Sequence, residues 1–398
     1  MKNHSYILLF FCFVFAAKAQ TKYQKDFSVL WESIDAQFAY FDSRKTDWEQ
    51  VRVIYQPIVD RVSDEDEFIR VLENVLNELY NGHISLGVNL PSSNRLIPSG
   101  SDLWAEYSGN EFVITDIREG YKADLSGLKT GMHITHFNDV PVKKAIDKFL
   151  PKSFRDYDKE VYDYAINMLL AGTHDKARKI SVKYRGKALD FYPDKEVIQE
   201  EEEVLESDVL PGNIAYIKIN NSLFKDELID AFGKTVDKLS VTKAMILDLR
   251  ETSSGGNTTV ARAIMGKFIK TDRPYQKHSV PGEEKAYGVK RSWVEYVSPK
   301  GKVYTKPLVV LVGRWTGSMG EGLAIGFEGM GRASLAGTPM AGLLGAIECS
   351  PLPETGIGVC FPIEKLFHIN GTPREDFVPE NRTATGKEAL ERAIKLLN

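Results

Sequence analysis

The sequence predicts an α/β fold, and three observations carry the prediction. Beyond residue 213, strands alternate with helices; the strands are continuous apolar runs; and a stretch of helical spacing, then a stretch of short strands, precede them. Strands apolar on both faces belong in a sheet covered by helices on each side, which is an α/β core. The expected elements are a strand at 214–219, a helix near 225–239, a strand at 244–249, a helix at 258–269 and a strand at 308–312. A last helix over 387–397 puts Leu390, Ala393, Ile394 and Leu397 on one face. With 398 residues the chain exceeds what one hydrophobic core usually organises, so two or three units are expected.

Between Asp26 and Tyr80 the apolar residues recur at helical spacing, with Trp31, Ile34, Phe38 and Phe41 in one segment and Phe68, Val71, Leu72, Val75, Leu76 and Leu79 in another. Ser63, followed by Asp66 and Glu67, suits the start of that last helix. Residues 22–80 thus read as a helical cap that ends at the turn Asn81-Gly82. From about 103 to 190 the pattern becomes short strands broken by turns: a strand at 112–117, a short helix at 123–128, and a strand, turn and strand over 131–142. The run Gly127-Leu128-Lys129-Thr130-Gly131-Met132-His133-Ile134 resembles that of a PDZ domain, with Met132 in place of the usual Asp and Asp139 in place of the usual Gly. That resemblance implies a unit able to hold a peptide carboxyl terminus by strand addition, or one that only packs.

The amino terminus reads as a cleaved secretory signal: Lys2, an apolar run from Ile7 to Ala17, and small residues at Ala17-Lys18-Ala19. The run is shorter than the about 20 residues a membrane span needs. Cys12 lies inside it behind Phe10-Phe11, which disfavours a lipid anchor. Cleavage removes Lys2 and Lys18 and no acid, taking the formal charge from −4 to −6. No basic patch appears and the acidic run 200–203 reads as a solvated linker, so neither nucleic acid nor an anionic lipid surface is an expected partner. Cys349 and Cys360 remain after cleavage, compatible with one disulfide in an oxidising compartment. No His cluster accompanies them, and no metal is expected.

Two stretches carry chemistry. The strand at 308–312 runs into Gly313-Arg314-Trp315-Thr316-Gly317-Ser318-Met319-Gly320-Glu321, a turn that holds a serine at the start of an apolar helix. Such a junction either presents a nucleophile next to free helix amides or simply caps the helix. Asp248-Leu249-Arg250-Glu251-Thr252-Ser253-Ser254-Gly255-Gly256-Asn257 places paired glycines after a buried strand. An amide of Gly255 or Gly256, with that of Met319, is the candidate oxyanion hole.

Together with the cap sequence ending Leu79-Tyr80-Asn81-Gly82-His83-Ile84, these stretches resemble the S41 peptidases, the family of C-terminal processing (tail-specific) proteases and the tricorn core. The resemblance implies a ClpP/crotonase-like core, peptide hydrolysis without a cofactor, and Ser318 as nucleophile. It divides the chain into a signal peptide at 1–19, a helical cap at 20–90, a PDZ-like domain at 91–195 and the peptidase core at 196–398. The processing proteases use a lysine base about 25 residues beyond the serine; that position is Leu343, and the surrounding 338–345 has no lysine. A serine without a base is a poor nucleophile. His83 stands where the tricorn branch carries its histidine, and imidazole suits the task. An acid limb of kcat/KM near about 6.5 is then expected, moved upward by a carboxylate partner. The resemblance makes Glu375 that partner, although in the tricorn branch a serine before the histidine couples the two, and here that residue is Gly82. Direct coupling, a bridging water or another carboxylate such as Glu348 stay open.

The sequence reading is therefore a secreted or periplasmic serine peptidase acting on peptides or protein C-terminal tails, with oligomeric state undetermined. The competing reading is a non-catalytic peptide- or lipid-binding protein on the same fold. An acyl-CoA enzyme of crotonase type is opposed by the export signal and the missing basic cluster. A dinucleotide site at Gly326, Gly329 and Gly331 is opposed by their place after the helix instead of at its opening.

Overall fold

The structure, a computed structural model, describes residues 20–198 and 202–398; the leader over 1–19 and the start of the acidic run lie outside the described residues. Helices Lys22–Gln37, Trp48–Val59 and Glu65–Asn77 open the fold, each with a side-chain oxygen (Thr21, Asp47, Asp64) accepting an N–H of its first turn. The third helix starts one residue later than Ser63 predicts. The Asp64 carboxylate takes the Glu67 N–H at 2.8 Å, and Ser63 instead donates its N–H and hydroxyl to the Glu67 side chain. The first helix ends where Phe38 turns to extended backbone, so Phe41 packs from a turn. Phe27, Ile34, Phe68, Leu72 and Val75 are fully buried and join Leu344, Val359 and Phe361 in one cluster, which seats the three helices on the C-terminal half. Buried Asp26 adds a polar tie by accepting the N–H groups of Glu354 and Thr355 and the Thr355 hydroxyl.

Residues 103–191 build a sheet of their own in the order Leu103–Ser108, Glu111–Ile117, His133–Phe137, Ile180–Tyr184, Lys187–Phe191, with Val140–Pro141 added to His133–Phe137. The stretch is not all short strands, because the helix Lys159–Ala171 runs beneath them. Every residue from Tyr164 to Ala171 is buried, so the helix has no polar face for the sequence pattern to display. Its buried Asn167 bonds both the N–H and the carbonyl of Ala105, fixing helix to sheet.

The core sheet runs Asn381–Arg382, Ser334–Gly337, Leu308–Val312, Ala244–Asp248, Ile214–Ile219 and Leu205–Leu210, parallel except for the last pairing. Alternate residues serve two cores, which explains the unbroken apolar runs. Met245, Leu247, Val310 and Val312 face helices Glu227–Lys238, Thr258–Gly266 and Met319–Gly329, while Ile246, Val309 and Leu311 face Ala389 and Ala393 of the helix Ala389–Leu397. A third sheet, unread in the sequence, pairs Gly358–Phe367 with Ser85–Leu86, Arg273–Ser279 and Ala346–Pro351, and Arg273–Ser279 with Ser292–Val297. Cys349 and Cys360 face each other across it and form a disulfide. Since Ser85 pairs with Cys360, this sheet brings the segment after the third helix against the core.

Candidate active site

The strand Leu308–Val312 leaves the sheet at Gly313, and the turn that follows is tied to the loop after the neighbouring strand. Thr316 Oγ1 donates to the Leu249 carbonyl at 2.9 Å and the Gly317 N–H to Thr252 at 3.2 Å. These bonds hold Ser318 at φ 50° and ψ −112°, a region a non-glycine residue occupies at a cost of about 1–3 kcal/mol. The Ser318 N–H donates to Glu321 Oε2 at 2.8 Å. The Ser318 hydroxyl lies 3.1 Å from Nε2 of His83.

His83 reaches it from the segment between the third helix and Ser85. Asn81 organises that segment: its side-chain oxygen accepts the N–H groups of His83 and Leu344, and its amide donates to the Gly342 carbonyl. Nδ1 of His83 lies 2.6 Å from the Leu344 carbonyl. A carbonyl can only accept, so Nδ1 carries the proton and Nε2 turns its lone pair to Ser318. Burial, aided by the Arg374 guanidinium, lowers the His83 pKa to about 4, against the opposing pull of the Leu344 and Gly345 carbonyls.

The carboxylate expected at Nδ1 is not there. Glu375 sits in the turn Arg374–Asp376, and its Oε2 is buried with no hydrogen-bond partner among the described residues. Its segment acts on the site through Arg374 instead, whose Nη2 donates to the carbonyls of Leu343 at 2.9 Å and Gly345 at 2.8 Å. The relay position is closed for a physical reason: a Cβ at Gly82 would stand 2.2 Å from the Ile97 carbonyl oxygen. Glu348 is exposed on its strand and has no part in the site. Leu343 is buried, with Cδ1 3.3 Å from where a Cβ of Gly317 would lie, so an apolar group stands beside the serine turn.

The glycine pair also divides differently from expectation. Gly255 (φ 68°) donates its own N–H to Thr252, which removes that amide from the oxyanion pair. Its role is space: a Cβ there would fall 2.5 Å from Ser318 Cβ and 3.0 Å from the Met319 nitrogen. The amides of Gly256 and Met319 have no protein partner among the described residues.

Three residues of the site escaped the sequence reading. Glu321 is fully buried and, besides Ser318, accepts the Gly342 N–H at 2.9 Å. Burial pushes its pKa up to about 7, against the Arg374 guanidinium and the two N–H donors. Its place three residues after a capping serine was a readable signal. Asn81 was visible only as a turn residue, and Arg374 carried no signal. Among the described residues no group of three His, Cys, Asp or Glu side chains could hold a metal ion, and no helix is long and apolar enough to cross a membrane.

A serine hydroxyl on a strained strand-to-helix turn, against a neutral imidazole and beside two free amides, has the makings of a serine-type hydrolase. The model of peptidase family S41 matches residues 213–378, and that of the tricorn protease C1 domain matches residues 19–77. The chain belongs to peptidase family S41 and is a serine peptidase. Its fold is similar to that of mature CPAF, with a TM-score of 0.63 at 15% identity, covering 94% of this chain and 95% of that one. It is likewise similar to the photosystem II D1 C-terminal processing protease, with a TM-score of 0.58 at 17% identity over 95% and 98% of the two chains.

Proposed function

We propose that the chain is an exported peptidase that cleaves peptides or protein tails through an acyl-enzyme, with Ser318 as nucleophile and His83 as base. The observation that carries this reading is the pair of bonds on one imidazole: Nδ1 to a carbonyl that fixes the tautomer, and Nε2 to the serine hydroxyl. Ser318 Oγ attacks the peptide carbonyl carbon as its proton passes to His83 Nε2. The amides of Gly256 and Met319 receive the oxyanion. Collapse breaks the C–N bond, the amine leaves with the proton from His83, and water releases the acyl group by the same steps. No cofactor enters.

In the same reading residues 20–90 are a cap, 91–195 a PDZ-like domain and 196–398 a ClpP/crotonase-like core. The separate sheet of 103–191 favours a PDZ-like unit that engages a substrate tail, and the Cys349–Cys360 disulfide favours export to an oxidising compartment. The test is labelling with a fluorophosphonate probe and mass-spectrometric mapping. Wild type should label at Ser318, Ser318→Ala not at all, and His83→Ala about 10²–10⁴-fold more slowly with its melting temperature little changed. Absence of labelling in the wild type would favour a binding protein on this fold. Amidating the carboxyl terminus of a cleaved peptide should raise KM if tails are engaged.

A further inference from the structure

The Ser318 turn and the loop 342–345 each carry one half of the catalytic pair. The turn presents the hydroxyl, and the loop supplies the carbonyl that fixes the His83 tautomer. They meet at one side chain, 21 residues before Gly342 in sequence, for the Glu321 carboxylate accepts the Ser318 N–H on Oε2 and the Gly342 N–H on Oε1. It is 0% exposed, so no water takes the place of either acceptor oxygen if the carboxylate is altered. The same loop is gripped from the other side by Arg374 at the carbonyls of Leu343 and Gly345 and by Asn81 at Gly342 and Leu344. The Ala341 N–H, donating to the Thr316 carbonyl at 3.1 Å, ties the serine turn to the start of this segment, and Glu321 adds the tie at Ser318 itself.

We propose that Glu321 is the positioning residue of the site: its two oxygens lock the serine turn to the histidine-holding loop and so set the Ser318–His83 separation. The proposal rests on the serine-peptidase reading above. It makes the lock a property of the ionised carboxylate. Protonation converts one acceptor oxygen into a donor facing an N–H, and the lock opens at one end. The charged groups that face Glu321 are Arg374, with Nη2 3.9 Å from Oε2, and Glu375 on the same turn; His83 is the titratable group held by the loop it binds. Their balance with burial puts the transition within reach of neutral pH.

Glu321→Gln keeps the shape and leaves one acceptor and one NH₂ for two N–H donors. Displacing a reacting group by about 1 Å costs on the order of 10²-fold in rate. The expected result is a fall of about 10²-fold in kcat and in the fluorophosphonate labelling rate, with peptide KM little changed and the melting temperature lowered by no more than one unmet buried N–H requires. Wild-type labelling should fall through an inflection near pH 7 that Glu321→Gln lacks, a change a merely structural carboxylate would not produce. Glu321→Gln labelling at the wild-type rate with the wild-type pH profile overturns the proposal. Should Glu321→Gln not fold, the wild-type profile decides alone, and no inflection between about pH 6 and 8 overturns it. Failure of the wild type to label at any pH removes Ser318 as nucleophile, and this proposal with it.

Discussion

His83 meets a carbonyl where an imidazole base more often meets a carboxylate, and the two partners differ in what they supply. A carbonyl fixes the tautomer as well as a carboxylate does, but it brings no full charge to stabilise the imidazolium. With burial and Arg374 also opposing protonation, the folded pKa lies near 4, below the ordinary 6.5. The base therefore stays competent well into acid. The lower limb of kcat/KM should fall near pH 4, beneath the step assigned to Glu321, and Glu375→Gln should leave that lower limb in place. A downward shift in this variant would return Glu375 to the imidazole. The same pKa has a stability consequence. Between pH 6.5 and 4 the unfolded chain takes up a proton at position 83 that the folded chain refuses, so this histidine's contribution is intact above 6.5 and is lost as pH falls toward 4.

At the scale of elements, the histidine segment is held by a short strand, Ser85–Leu86, on a long neighbour, Gly358–Phe367. The Cys349–Cys360 disulfide joins that neighbour to Ala346–Pro351, the strand that follows the loop holding Nδ1. The bond closes a loop of sequence separation 11. Loop-closure entropy gives such a bridge about 3 kcal/mol. The Cys349→Ser/Cys360→Ser double variant should unfold at correspondingly lower denaturant while labelling at Ser318 at nearly the wild-type rate when folded. A large loss of labelling in the folded variant would mean that the hairpin, and not Asn81, Glu321 and Arg374, sets the catalytic geometry.

At the scale of the whole molecule, the sheet of residues 103–191 and the core meet at a buried ion pair. Arg118, which follows the strand Glu111–Ile117, donates from Nε at 2.8 Å and lies within 2.7 Å through Nη2 of Glu251, at the start of the loop bearing Gly255 and Gly256. The two side chains are 7% and 14% exposed, too little for water to replace a missing partner. Arg118→Ala should then destabilise by about 3 kcal/mol, and Arg118→Ala/Glu251→Ala by clearly less, because the second change removes the stranded charge. Equal melting temperatures for the single and double variants would show that the pair does not join that sheet to the core.

The core strands and the helices between them were legible in the sequence, because apolar runs and a helical period are encoded locally. The glycine-flanked turn at a strand end singled out Ser318 and Met319, and the family resemblance pointed to His83, whose Nε2 the structure brings within 3.1 Å of the Ser318 hydroxyl. The buried helix Lys159–Ala171 and the sheet around Gly358–Phe367 were not legible, the helix for want of a polar face and the sheet because its strands pair across long separations. Only the tertiary structure decided what meets His83 Nδ1. Carbonyls and amides look alike at every position of a sequence, so nothing in it distinguishes Leu344, whose carbonyl binds the imidazole, or Gly255, whose amide is already committed. Nor could it show that Glu321 and Arg374, far apart in the chain, converge on one loop. That convergence follows from packing the turn Arg374–Asp376 and the helix Met319–Gly329 against the segment between them, where burial leaves each polar group only the partners the fold supplies.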